Sequence, residues 1–153
     1  MIAITHLFFS LLIGLLTYHF FNLNPVAFIL IVLISGIFPD IDHPKSKIGR
    51  KLKILSYPIN FIFGHRGLFH SLLLAIGFSA LTWFFFGNWY IPFFIGFLSH
   101  LVGDALTKQG IDFTYPFNMF KVKCFIRTGG IIERIILAIL ILIDGYLIFK
   151  LIS

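Results

Sequence analysis

The side chains here that suit metal binding or proton transfer near neutral pH are six histidines, six acidic residues and one cysteine. His100 and Asp104 are four apart. On a helix that spacing places both on one face, with Cβ atoms about 5–6 Å apart, close enough to chelate one ion. Imidazole with carboxylate suits zinc or a similar divalent metal. The alternative is a His–Asp hydrogen bond that holds a helix end. Pro39-Asp40-Ile41-Asp42-His43-Pro44 is a stiff loop in which Asp40 and Asp42 point the same way if the chain is extended. They are candidate ligands, with a solvated Asx turn as the alternative. In Gly64-His65-Arg66-Gly67-Leu68-Phe69-His70-Ser71, Arg66 and His70 share a helical face. His70 is a candidate ligand and Arg66 a clamp for phosphate or carboxylate, unless it is a juxtamembrane charge only. His65 is a candidate outer-sphere or proton-transfer group. His6 lies one turn into the first apolar stretch, and its alternative is a bond to a neighbouring helix. Glu133, after Thr128-Gly129-Gly130, is a further candidate metal ligand, with complementing the helix dipole as the alternative. Asp144 lies about 16 Å further along the same stretch at 1.5 Å per residue, and no role is assigned to it.

The elements that must hold these groups are apolar. Hydrophobic residues make up 59% of the chain, charged residues 12%, and mean hydropathy is +1.00. Soluble domains carry roughly 25% charged residues and 45–50% apolar ones. Disorder is excluded, and a chain of this size has too little interior to hide the excess, so lipid is the expected solvent. One cysteine excludes an intramolecular disulfide framework. Met1 to Thr5 carries no Lys or Arg and no small-residue cleavage site follows, so the N-terminus is read as retained. Five apolar stretches stand out: 2–21, 25–38, 68–86, 89–106 and 131–152. Four reach the roughly 17–25 residues a spanning helix needs; the second stops at Pro39 after 14. Asn24-Pro25 reads as an N-cap followed by the first helical position. No sustained alternation predicts strands. The expected fold is one all-α membrane domain over 1–153, a bundle of about five helices.

Charge sets the expected orientation. Asn22-Leu23-Asn24 and Gly87-Asn88 are uncharged, whereas eleven of the twelve basic residues fall in or beside the other two connections. Cytoplasmic loops are enriched in Lys and Arg. A multi-pass plasma-membrane protein is expected, with the N-terminus and both long polar segments cytoplasmic and the C-terminus outside. The basic bias then needs no nucleic-acid partner; membrane lipids are the expected partner. Alternating helix directions gather His6, Asp40, Asp42, His43, His65, Arg66, His70, His100, Asp104 and Glu133 at one end. Ionisable groups at a membrane edge are costly and tend to be functional.

Thr5-His6, Phe38-Pro39-Asp40-Ile41-Asp42-His43, His65-Arg66-Gly67 with His70-Ser71, His100-x3-Asp104 with Thr107 and Gly110, Pro116-Phe117, and Gly129-Gly130 with Glu133 resemble, in order, the YdjM-type family. Its members are described as LexA-regulated, membrane-bound, metal-dependent hydrolases, and it is distantly similar to zinc-dependent phospholipase C and related single-strand nucleases. The resemblance implies a metal-dependent phosphoester hydrolase and marks His6, Asp40, Asp42, His70, His100 and Asp104 as metal residues. This chain has Phe69 where the family commonly has Thr before the histidine. It lacks the extra histidines of a three-zinc site, so one or two ions are expected, with zinc the leading candidate.

The expected chemistry is a metal-activated water attacking a phosphate-containing substrate: a phospholipid or a lipid-linked phosphate, with a soluble cytoplasmic phosphoester equally reachable. Arg66 would hold the phosphate, and Asp40, Asp42 or Asp104 would bridge a second ion or act as base. The rival is a non-catalytic metal-binding membrane protein: a sensor, scaffold or minor transporter. Transport is disfavoured, because it calls for polar groups near the bilayer midplane.

Overall fold

A computed structural model describes residues 1–44, 46, 49–51, 53–63, 67–117 and 119–152. His65 and Arg66 therefore lie outside the described residues. Six helices are present: α1 (Ala3–Thr17), α2 (Pro25–Ile37), α3 (Lys53–Phe63), α4 (Leu72–Phe86), α5 (Tyr90–Ala105) and α6 (Ile131–Ile152). Four helical stretches are long and apolar enough to cross a membrane: Ala3–Phe20, Pro25–Asp42, Leu72–Ala105 and Ile131–Ile152. The third contains a hairpin. Gly87, at φ +61°, ends α4, and α5 folds back so that Phe78 faces Phe93 at 6.4 Å between ring centres.

The cap expected at Asn24 forms, its Oδ1 accepting from Ala27 N at 3.0 Å ahead of Pro25. The end expected at Pro39 does not. A 3-10 turn, Phe38–Asp42, carries the helical path on, and the second stretch reaches 18 residues. Proline is tolerated there because the first turn of a helix needs no N–H from it. Two more elements were not expected. The apolar patch after Lys53 is a helix, α3, with Ile54, Tyr57 and Phe61 exposed. A two-residue antiparallel ladder, β1 (Ile111–Asp112) with β2 (Lys121–Val122), ties down the segment before α6.

α2 and α5 form the centre; α1 packs on both, α4 covers α5, and α6 lies outside against α1. Lipid tails are as apolar as leucine, so helices in a membrane associate through close packing and small residues. Ser35, Gly36 and Gly96 provide that contact between α2 and α5, and Ser10 Oγ bonds Ser99 Oγ at 2.7 Å between α1 and α5. A Cβ on Gly36 would stand 2.0 Å from Ser10 Oγ. Outside this seam, Ala75, Phe97, Leu101, Ala105 and Ile111 form a buried core.

Asp144 on α6 is 1% exposed, and neither of its oxygens has a hydrogen-bond partner among the described residues. A buried polar group left unmatched costs about 1–3 kcal/mol. Asp144→Leu is expected to raise the thermal unfolding midpoint in detergent by several degrees. An unchanged or lower midpoint would mean that the carboxylate is partnered in the membrane-bound protein.

Candidate metal centre

Five helix ends meet at one end of the bundle. Direct bonds join them: His6 to Asp104, His70 to Asp42, His100 to Gly36, and the backbone of Ile2 to Glu133. His6 comes from α1, and Asp40 and Asp42 from the 3-10 turn after α2. His70 closes the short 3-10 turn Leu68–His70 before α4, while His100 and Asp104 lie one turn apart on α5. His6, His70, His100, Asp42 and Asp104 are no more than 2% exposed.

Among the described residues, two groups of three have ligand atoms close enough to share an ion: Asp40, His70 and His100, and His6, His100 and Asp104. His100 is common to both.

The hydrogen bonds set which ring nitrogen of each histidine faces the cluster. His100 Nδ1 lies 2.8 Å from the Gly36 carbonyl oxygen, which can only accept. The ring hydrogen is therefore on Nδ1, and Nε2 presents a lone pair. His70 Nδ1 donates in the same way to Asp42 Oδ2 at 3.0 Å. The two Nε2 atoms then face each other at 3.1 Å. Asp104 Oδ2 stands 3.4 Å from His70 Nε2 and 4.0 Å from His100 Nε2. Asp40 Oδ1 lies 3.9 Å from His100 Nε2. Four electron-rich atoms converge, and the two facing Nε2 atoms call for a proton or a metal cation between them. Donor atoms on a tetrahedral zinc, with bonds of about 2.0–2.1 Å, stand about 3.3–3.4 Å apart. The 3.4 Å between His70 Nε2 and Asp104 Oδ2 matches that value, the 3.1 Å between the two Nε2 atoms is a little shorter, and the other two spacings are wider.

Outer partners complete the arrangement, as is usual for metal-ligating histidines. Asp42 orients His70, and Asn60 Nδ2 donates to the Asp42 carbonyl at 2.9 Å. The Gly36 carbonyl orients His100. His6 Nε2 lies 3.1 Å from Asp104 Oδ1, and its ring stacks on His100 with centres 3.9 Å apart. Gly103 makes room for that ring; a Cβ there would be 3.0 Å from both Cε1 and Nδ1 of His6. The α-amino group of Met1 also donates to Asp104 Oδ1.

Glu133 does not join either group. Its Oε1 accepts from Ile2 N at 2.7 Å and its Oε2 from Gly129 N at 2.5 Å, so it joins α6 to the start of α1. Asp112 is held in the connection before α6, accepting from Thr114 N and Oγ1 at 2.9 and 2.8 Å. Burial pushes its pKa up, but these bonds and Lys121 outweigh that and leave it below the ordinary carboxylate value. His19 lies away from the cluster beside Phe20, with ring centres 4.0 Å apart. Sequence reasoning missed the Gly36 carbonyl and the space at Gly103. A backbone acceptor leaves no mark in residue type, whereas Gly103 directly before Asp104 was a visible signal of close approach.

The family model described as YdjM inner membrane protein matches residues 1–152. YvsG of Bacillus subtilis (strain 168) is 35% identical over 141 residues, covering 87% of this chain and 85% of the relative. The inner membrane protein YdjM of Escherichia coli (strain K12) is 37% identical over 115 residues, covering 68% of this chain and 58% of the relative. The YdjM of Shigella flexneri matches to the same extent. The match thus spans a little over half the length of the YdjM relatives. No solved structure matches. With its apolar helices and a buried His/Asp cluster able to hold a metal ion, the chain is a multi-pass membrane protein and belongs to the YdjM family of inner membrane proteins.

Proposed function

We propose that this protein is a membrane-bound, metal-dependent hydrolase that cleaves a phosphoester at the end of the bundle holding His6, His70 and His100. The observation that supports it most is the pair of Nε2 lone pairs 3.1 Å apart, flanked by Asp40 and Asp104 carboxylates. His70 and His100, with Asp40 and Asp104, would hold one divalent ion, and the nitrogen–oxygen donor set suits zinc. His100 has one free nitrogen and so serves one ion. His6 and Asp104 would hold a second ion. The bound metal supplies Lewis acidity and a water of lowered pKa. Asp40, 13% exposed, is the most accessible carboxylate of the cluster and takes the proton from the attacking water. Asp42 keeps His70 in its coordinating tautomer. Arg66, four residues before His70 in sequence, holds the substrate phosphate, and His65 assists proton transfer. The basic connections orient this end toward the cytoplasm.

A second reading, a non-catalytic metal site, is favoured by the deep burial of His6, His70, His100 and Asp104. Turnover separates the two. The detergent-purified protein is stripped with chelator, reloaded with zinc or manganese, and assayed on a diester, a monoester and a short-chain phospholipid. Metal-restored turnover that His70→Ala abolishes is expected. Stoichiometric metal with no turnover on any substrate would replace the hydrolase reading with the non-catalytic one.

A further inference from the structure

Beside the histidine cluster lies a separate cleft of about 550 Å³, lined by Lys108, Arg127 and Arg134 together with Phe125, Ile131 and Ile132. The three cations come from three places: the connection just after α5, the loop before α6, and the first turn of α6. Backbone bonds hold the first two segments together, Lys108 N donating to Ile126 O at 2.9 Å. All three side chains are exposed, and among the described residues none has a carboxylate partner. Glu133, beside Arg134 in sequence, is fully buried and engaged by Ile2 N and Gly129 N. Three unpaired cations around one cleft call for an anion.

The rim indicates what kind of anion. Phe125, Ile131 and Ile132 are 66%, 76% and 47% exposed, and α6 begins its membrane-length apolar run at Ile131. The cleft therefore stands where the chain enters the apolar layer, with charge on one side and hydrocarbon on the other. A phosphate carried on acyl chains satisfies both; a free phosphate satisfies the cations alone. Guanidinium groups fork onto phosphate oxygens, and basic side chains at a membrane surface attract anionic headgroups.

We infer that the Lys108–Arg127–Arg134 cleft binds the headgroup of an anionic phospholipid, with its acyl chains along Ile131 and Ile132. Binding requires no metal at the histidine cluster, so this site and the proposed hydrolysis can fail separately.

The intact protein in neutral detergent is titrated with phosphatidylglycerol or phosphatidylcholine, and bound lipid is counted by native mass spectrometry. Phosphatidylglycerol is expected to bind about tenfold more tightly than phosphatidylcholine or better. Lys108→Gln, Arg127→Gln and Arg134→Gln should each weaken it about fivefold, and the triple variant on the order of a hundredfold. The triple variant should keep its unfolding midpoint, because all three side chains are exposed. Lys121→Gln with Lys123→Gln, a loss of two charges outside the cleft, should leave lipid binding unchanged. Millimolar inorganic phosphate should not displace the lipid. Equal binding of the two lipids, an equal loss in the Lys121/Lys123 variant, or displacement by inorganic phosphate would each overturn the inference.

Discussion

Replacing His100 by alanine is expected to abolish metal binding while the helices still assemble. His100 belongs to both groups of ligand atoms, and its ring is fully buried. Its Nδ1 is held by the Gly36 carbonyl, and its Nε2 faces His70 Nε2 at 3.1 Å. Losing the outer partner of a ligand costs roughly 10–100-fold in metal affinity, so losing the shared ligand costs more than about 100-fold. Elemental mass spectrometry of the purified protein should find one or two metal ions per wild-type chain and none in the variant. The stability penalty is expected to be smaller, about 1–3 kcal/mol, because the Gly36 carbonyl loses its donor. His100→Gln, which retains bulk and a donor, should fold better and still bind no metal. A variant that keeps its metal would show that the cluster is a hydrogen-bonded network at the helix ends.

Gly96→Ala is expected to be more damaging than its single methyl suggests. The added Cβ would stand 2.1 Å from Ser35 Oγ and 2.2 Å from the Val32 carbonyl oxygen. The serine can rotate away; a helix backbone cannot. α2 and α5 must separate, and overpacking of this kind costs about 1–3 kcal/mol or more. The site fails with the seam, because Gly36 on α2 orients His100 on α5 across it. Folded yield and metal content should fall together. Gly77→Ala provides the contrast: nothing lies within 4 Å of its Cβ, and the site is within α4. There alanine should stabilise by about 0.5–1 kcal/mol through helix propensity alone. Unfolding midpoints of the two variants check this, and equal behaviour would remove the close-packed seam from the account.

Much of this molecule is legible residue by residue. Apolar runs of membrane length follow from the solvent each side chain prefers, and Asn24-Pro25 and Gly87 mark helix ends by their own backbone chemistry. Alternating helix directions then place His6, Asp40, Asp42, His70, His100 and Asp104 at one end without reference to any contact. Local pattern stops there. Pro39 reads as a terminator, but the helical path continues through it to Asp42, where the turn packs against α5 and α3.

The coordinating nitrogens of His70 and His100 depend on Asp42 and on the Gly36 carbonyl, 28 and 64 residues away along the chain. Glu133 reads as a ligand by type, yet its oxygens are engaged by the backbone of Ile2 and Gly129. Lys108 meets Arg127 and Arg134 only because the connection between α5 and α6 folds back on itself through β1 and β2. The sequence by itself determined which residues are available and at which end of the membrane helices they gather, because hydropathy and helix direction are properties of the local chain. Only the tertiary structure decided which lone pairs face one another and which charges share a cleft, because those depend on partners brought together from distant segments.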